Sequence, residues 1–562
     1  MIRWRDAELV QEAQRAHLEH LKDHGMKRLI LLFALGACGH HGSTSAADGG
    51  TKNDSGLTGL DGGSSDLATL PGVDGGAPSA ICTAPGTPPD TSSPRVTLTS
   101  CTQQELQAAI SGGGVIAFAC GDATIAITST LVVPADLDTT IDGGGHITLD
   151  GGGTTRILSM TGADYRKNDH RLALVGLTLK NGKSAGTKPY ASAPSPCSQG
   201  FYDGYGGALS VSDATLWVQA CTFDHNVAES IGPDVAGGAI SLAGSKQAII
   251  IGSTFTGNSA SNGGAIGSLN SQLDVYDSVF GNNRATGHDA NGDDQSKCSV
   301  KATNGQYQTG SGGNGGAISI DGGSDTAHTF CGTRFVSNQS GQGALGGALF
   351  RTPDGAKQTT TIDRCLFDGN QAPTSAGAAY FHNSTLIVTA STFKANSSAS
   401  FGAIQADGTT FDFSNDTFSG NEGTSIAGTL ALFGGDGKIR YSTFAGNKTG
   451  SFAADIFGNP TLTIEGCLFQ GAVGTSGPLQ CQVTGTGSSN LQFPADNACT
   501  PDTMFSDAQL GAIGDHGGPT PTVLPAAGSP AIGAGHDCPA TDQRGVTRPS
   551  DPCTIGAVEG SQ

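Results

Sequence analysis

Chemistry on a long repetitive chain requires reactive side chains to be brought into register, and this sequence offers few that are. A glycoside hydrolase needs two carboxylates facing each other across a cleft. A calcium-dependent lyase needs clustered carboxylates beside an Arg or Lys base. The natural place to look is the position after a recurring phenylalanine, which reads Asp224, Thr256, Gly281, Val336, Asp368, Lys394, Ser419, Ala445 and Gln470. Only two are acidic, and they stand four repeats apart, so neither chemistry is expected there and no catalytic residue is assigned. Asp224-His225 and Asp515-His516 are lone pairs of the kind that occupy turns. Asp289-Ala290-Asn291-Gly292-Asp293-Asp294 begins like a calcium loop. It lacks the Gly at the sixth position and the Glu at the twelfth, so it reads as a hydrated loop, and neither metal nor cofactor is assigned. The better binding candidates are aromatic: Tyr190, Phe201, Tyr202 and Tyr205 lie in one insertion and suit contact with a glycan or a protein surface.

Fourteen cysteines complete the reactive inventory. No two have the C-x₂₋₄-C spacing of a zinc site. Cys221, Cys365 and Cys467 recur at one repeat position and are expected as free, packed thiols. Sequence-local pairing predicts disulfides Cys101–Cys120, Cys481–Cys499 and Cys538–Cys553, while Cys82, Cys197, Cys298 and Cys331 leave three connectivities open.

The elements that position these residues are set by a repeat. Phe223, Phe255, Phe280, Phe335, Phe367, Phe393, Phe418, Phe444 and Phe469 follow a period near 25 with three longer gaps. Three residues after the first eight stands an asparagine: Asn226, Asn258, Asn283, Asn338, Asn370, Asn396, Asn421 and Asn447. Five before each Phe the residue is apolar, and two before it is small except at Asp416. A Gly-Gly-Ala-[Ile/Leu] box precedes each unit, at 206–209, 237–240, 263–266, 315–318 and 346–349, and decays to Phe401-Gly402-Ala403-Ile404. Such a short period with β-branched residues and glycine turns predicts a right-handed parallel β-helix, all-β, with three strands per rung. Stacking then makes the Phe column an aromatic ladder and the Asn column a chain of amide hydrogen bonds, at a bend expected to be left-handed. Leu174 and Leu179 predict an earlier rung in Leu172–Asn181, with Asn181 one residue early. Thr139–Gly145 and Ile147–Gly151 read as two further turns. Thr102–Glu105 is a capping-box start for a helix to about Ile110, whose Leu106, Ala109 and Ile110 are placed to close the coil's open end. The insertions at 183–205 and 284–314 enter between the Asn column and the box.

The flanks complete the organisation. Residues 1–25 read as an over-extended start. Residues 26–38 are a secretory signal: Met26-Lys27-Arg28, an apolar run, then Leu35-Gly36-Ala37-Cys38, which resembles a bacterial lipobox with Cys38 as the lipidated residue. Residues 39–96 form a Gly/Ser/Asp/Pro tether expected to be disordered, with Asp-Gly-Gly at 48, 61 and 74. The coil is assigned to 97–480 and an irregular disulfide-containing cap to 481–562. With 49 acidic against 29 basic residues the net charge is −20, which excludes nucleic acid as a partner.

The repeats resemble those of polymorphic outer membrane proteins, surface β-helices acting in adhesion. The C-terminal stretches Gly514–Thr520, Leu524–Ile532, Thr541–Gly545 and Ile555–Glu559 resemble choice-of-anchor Q proteins, which join a pectate-lyase-like β-helix to varied surface anchors. The resemblance implies an exterior location and says little of activity. The resulting expectation is an outer-membrane lipoprotein, held by Cys38, that acts non-catalytically in adhesion or in binding a glycan or protein. A polysaccharide lyase or hydrolase of the same fold is the alternative, and a purely structural envelope component is the second.

Overall fold

A computed structural model of the chain describes residues 81–189, 199–290, 310–323, 327–355, 357–474 and 480–560. They form a right-handed parallel β-helix. Apart from one helix, α1 (Gln103–Ile110), the regular elements are strands, and all the strand pairings are parallel. Among the described residues no helix is long and apolar enough to cross a membrane.

Each rung contributes three strands. Face 1 comprises the strands that open on the glycine box, such as Leu209–Ser212 and Ile318–Asp321. Face 2 follows, as in Thr215–Gln219, and face 3 is the short strand that carries the ladder Phe, as in Thr222–Asp224. The box residues align in register from Leu209 through Ile240, Ile266, Ile318, Leu349, Ala379, Ile404 and Leu430 to Ile456. The position five before each Phe makes the face 2 ladder, in which Leu174 stacks on Val218. Leu179 stacks under Phe223 at the start of the face 3 ladder.

The nine Phe rings lie 4.6–5.2 Å apart with interplanar angles of 2–16°. Offset stacking of this kind contributes roughly 0.5–1.5 kcal/mol per pair beyond the area buried. In the Asn column, each backbone N–H and each Nδ2 donates to the Oδ1 of the next Asn, as Asn338 does to Asn370 at 3.0 and 2.9 Å. Nδ2 also donates to the carbonyl of a Phe one rung earlier, at 2.9 Å from Asn338 to Phe280. The chain of amides ends where Asn447 Nδ2 meets Asp455 Oδ1 at 2.8 Å. These side chains are wholly buried and their amides paired, which is why the type is fixed.

Five details differ from the sequence expectation. The left-handed corner is the residue before each Asn, for example His225, Asn282, Ser337 and Ala395, not the Asn itself. A second left-handed column stands three before each Phe, including Asp277, Arg364 and Tyr441. Thr139–Asp150 is one strand serving faces 2 and 3 of a single rung, because Gly144 and Gly145 turn the corner within it. Residues 81–95, read as the end of a tether, form a strap along the coil, since Cys82 is bonded to Cys331. Finally, Leu491–Phe493 and Met504–Phe505 extend face 3 past residue 480, and the chain after them folds back along the side of the coil. Thr520, Asn415, Gln543 and Ala557 make the docking bonds, as in Gln543 Nε2 to Thr392 Oγ1 at 2.7 Å.

α1 closes the N-terminal end. Glu105 N–H donates to the Thr102 hydroxyl at 3.2 Å, and the Glu105 carboxylate accepts from Ser100 N–H at 3.0 Å rather than from Thr102. Leu106, Ala109 and Ile110 are buried against the first rungs. The disulfides Cys101–Cys120, Cys481–Cys499 and Cys538–Cys553 are present, and Cys221, Cys365 and Cys467 are buried free thiols. Cys38, Cys197 and Cys298 lie outside the described residues.

Candidate functional site

The outer surfaces of the three faces are not equivalent. On face 2 an outward apolar stripe of Ala173, Trp217, Ile249, Tyr276 and Cys331 is covered by Cys82 and Ala84 of the strap. Asp277 holds the strap's end by accepting from Ile81 and Cys82 N–H at 3.0 and 3.3 Å. The C-terminal segment docks on face 3 between Thr392 and Leu468. Among the described residues both docked segments lie on faces 2 and 3, while on face 1 the middle outward positions such as Phe350 and Tyr380 are buried against Leu345 and Ala376 of the loops at its edge.

On face 1 one outward column sits three residues after the box position: Leu269, Asp321, Thr352, His382, Asp407 and Phe433. Leu269 is 47% exposed, and Asp321 beside it is also exposed. The strand Ile318–Asp321 follows directly on the 284–314 insertion. Burial of its inner side pushes the Asp321 carboxyl up, and the carboxylates of Asp354 and Asp234 push it in the same direction. The open edge of Asp321 moderates the burial contribution, whereas the two acidic neighbours act in the same direction.

Beneath this acid lies an unusual support. Arg351 points into the core, in register with Ile320 and Phe381 of the neighbouring rungs, and is fully buried. Its Nη1 donates to Gly322 O at 2.7 Å, which fixes the turn immediately after Asp321. His328 is buried nearby, and burial together with the Arg351 charge pushes its imidazole down to about 3. It is therefore neutral throughout the physiological range. Gly322 adopts φ +72°, and a Cβ there would lie 3.0 Å from Asp354 Oδ2 and 2.2 Å from Asn270 Oδ1. Glycine is needed at this turn because Asp321, Asp354 and Asn270 crowd around it.

Further along, His382 and Asp407 are paired across adjacent rungs, as are Tyr380 and Gln405. Gln405 Nε2 donates to Asp407 Oδ2 at 3.0 Å, and Ser375 Oγ donates to Gln405 Oε1 at 2.7 Å. Burial pushes the Asp407 carboxyl up to about 7 against opposing hydrogen bonds from Tyr380 and Gln405. The Tyr380 ring stacks on Phe350 at 5.3 Å. Asp321 and Asp407 are three rungs apart, about 14 Å at the strand spacing, so they cannot act as an acid–base pair. Asp321 with Asp354 is the closer acidic combination. Face 1 thus presents an exposed acid, Asp321, beside Asp354, with the exposed Leu269 on one side and, after the polar positions, the aromatic Phe433 on the other.

The residues singled out from sequence do not converge on this column. Tyr202 is 46% exposed. Phe201 packs over Gly186 and bridges to Pro189. Tyr205 is half-buried against Ala228, Val235 and Ala260, with the Arg156 guanidinium 5.6 Å above its ring. Tyr190, Asp293 and Asp294 lie outside the described residues. Asp224 pairs with His225 at 2.7 Å, and Asp368 pairs with Lys394 at 2.9 Å. Asp515 accepts from Gly517 N–H, and His516 Nδ1 lies 3.0 Å from Thr522 O. Cys82, Cys331 and Asp363 come together, but the disulfide leaves no thiolate to bind a metal. The column holding Asp321, His382 and Asp407 was present in the sequence at a fixed offset from the box. The offset from Phe falls instead on face 3, which the tail partly covers.

No protein-family model and no curated protein matches the sequence. Among solved structures the chain is similar to the catalytic domain of a GH87 alpha-1,3-glucanase in complex with nigerose, at 11% identity and TM-score 0.24. That alignment covers 76% of this chain and 70% of that one. It is also similar to the receptor-binding domain of the siphovirus 9NA tailspike, at 9% identity and TM-score 0.19, over 72% and 77% of the two chains. Neither superposition is close enough to transfer a site or an activity.

Proposed function

We propose that the protein is a cell-envelope β-helix that binds a glycan along face 1, with Cys38 as its lipid anchor. The observation that carries the binding reading is the exposed Asp321 beside Asp354, in an outward column whose polar positions Asp321, Thr352, His382 and Asp407 run between Leu269 and Phe433. Carboxylates, hydroxyls and imidazoles in such a column accept from and donate to sugar hydroxyls, and apolar side chains pack on sugar ring faces. The parallel coil repeats this spacing along its axis, which matches an extended chain better than a compact ligand. The anchor rests on the Leu35–Cys38 sequence alone, and an outer-membrane location goes with it. Electrospray mass spectrometry of the mature N-terminus tests it: a diacylglyceryl adduct on Cys38 is expected, and an unmodified Met1 overturns it.

One observation favours hydrolysis as a second reading. Asp321 stands beside a second carboxylate, Asp354, and two like charges held close raise the carboxyl of one of them, as in a general acid. A glycan array of the full chain, run beside a reducing-end assay on the same glycans, separates the readings. Binding that Asp321→Asn weakens, with no new reducing ends, supports the lectin-like reading. Reducing ends abolished by Asp321→Asn establish hydrolysis. Neither signal overturns both.

A further inference from the structure

The strap joins the coil twice. At its inner end Arg95 N–H donates to Val115 O at 2.8 Å, beside the first strand, Val96–Leu98. From there it runs back along face 2, meeting Arg171 Nη1 at Thr87 O and passing Trp217 and Ile249 at Gly86. Its outer end is fixed near the middle of the coil, where Cys82 is bonded to Cys331 across 249 residues. Three successive rungs grip that end at one corner. Asp277 accepts from Ile81 and Cys82 N–H, Cys331 supplies the disulfide, and Arg364 Nη1 donates to Ile81 O at 2.9 Å. Arg364 is itself braced by Asp363, through Nη2 at 2.6 Å and Nε at 2.9 Å.

Cys331 and Asp321 belong to the same rung, since Ile318–Asp321 on face 1 is followed by His328–Cys331 on face 2. That rung is paired on both sides in every face. Ile318–Asp321 lies between Ile266–Leu269 and Leu349–Thr352, and His328–Cys331 between Leu273–Tyr276 and Thr359–Asp363. Arg334–Val336 lies between Val279–Gly281 and Leu366–Asp368. Val96–Leu98, by contrast, is paired on one side, with Gly114–Phe118. Each repeat of a solenoid contacts only its neighbours, so tension entering at Val96 peels an edge strand and then one rung after another. Tension entering at Cys331 loads all the ladders of an interior rung together.

We propose that the Cys82–Cys331 disulfide is a force clamp. It carries load from the N-terminal anchor directly into the rung that presents Asp321, and leaves the rungs from Val96 to Tyr276 outside the load path. The source of that load rests on Cys38 as the anchor and face 1 as the binding surface.

Single-molecule force spectroscopy of the full chain tests the clamp without a ligand. The chain is stretched between a handle at its N-terminus and a maleimide handle on Asp321→Cys, the free thiols Cys221, Cys365 and Cys467 being buried. The oxidised protein is expected to show no unfolding steps. With Cys82→Ser and Cys331→Ser added, it is expected to release up to about 800 Å of chain, at the reach of about 3.4 Å per residue. Because the added changes could loosen the coil, end-to-end stretching of the unmodified chain supplies a reading that needs no variant. The 249-residue loop stays hidden there, so the extension is expected to fall about 850 Å short of the full contour length. The clamp is overturned if the oxidised protein releases chain as the serine variant does, if the serine variant resists as the oxidised protein does, or if end-to-end stretching reaches full length. Failure of the anchor or binding reading is seen separately, as an unmodified Cys38 or a silent glycan array, and changes none of these extensions.

Discussion

Asn338 shows what one residue does in a stacked fold. Its Oδ1 accepts from Asn283 N–H and Nδ2, both at 3.0 Å, and its own amide donates to Asn370 and to Phe280 O. Asn338→Ala removes all of these within a buried column and orphans at least two polar groups at about 1–3 kcal/mol each. The expected loss is about 3 kcal/mol or more, read as a lower urea midpoint. Asp416 occupies the small column, where Cys, Ser or Thr stands in the other rungs, and accepts from Ser391 and Ser414 N–H while fully buried. Burial raises its carboxyl well above the ordinary range and raises Asp407 to about 7 and Asp455 to about 8. The folded state then holds protons that the unfolded chain releases near pH 4. Stability is therefore full below the unfolded value and falls as pH rises through the folded one. Thermal melts should show Tm declining from pH 4 toward 8. Asp407→Asn should flatten the part of that decline between about pH 4 and 7, and a parallel, undiminished decline would contradict the assignment.

At the scale of the element, the ladders were legible because each rests on one residue type repeating at one offset. The Phe column is such a case, and Leu179 in the same column predicts which change it tolerates. Phe367→Ala should cost about 3–5 kcal/mol, whereas Phe367→Leu should cost clearly less, measured by denaturant unfolding. The strap was not legible, because Gly, Pro, Ser and Thr around Cys82 carry no periodicity and its partner Cys331 is 249 residues away. The disulfide, the Asp277 carboxylate and the outward stripe of Trp217, Ile249 and Tyr276 give it a place. Cys82→Ser should free the strap, so that limited proteolysis cleaves between residues 83 and 95 and a hydrophobic dye reports the uncovered stripe. An uncleaved strap would show that its noncovalent contacts suffice. The two-turn expectation for 139–151 failed for a local reason: three glycines can turn a corner inside one strand as readily as they can separate two rungs.

For the whole molecule, a solenoid offers several outer surfaces, and function depends on which is left open. Sequence alone showed that apolar columns line the interior, but not that the 81–95 strap and the C-terminal segment return to cover faces 2 and 3. That docking depends on single long-range contacts such as Asn415 with Thr541 and Tyr441 with His536. The acidic group on face 1 was missed for the same reason, since Asp321, Asp354 and Asp234 come from three separate loops and strands. The decisive measurement compares glycan-array binding by the full chain with that of three variants, Leu269→Arg and His382→Arg on face 1 and Ile387→Arg on face 2. All three positions point outward, so folding should be preserved. Loss of binding in both face 1 variants, with Ile387→Arg unaffected, is the result predicted. Binding retained by the face 1 variants, or lost only through Ile387→Arg, would contradict face 1 as the recognition surface.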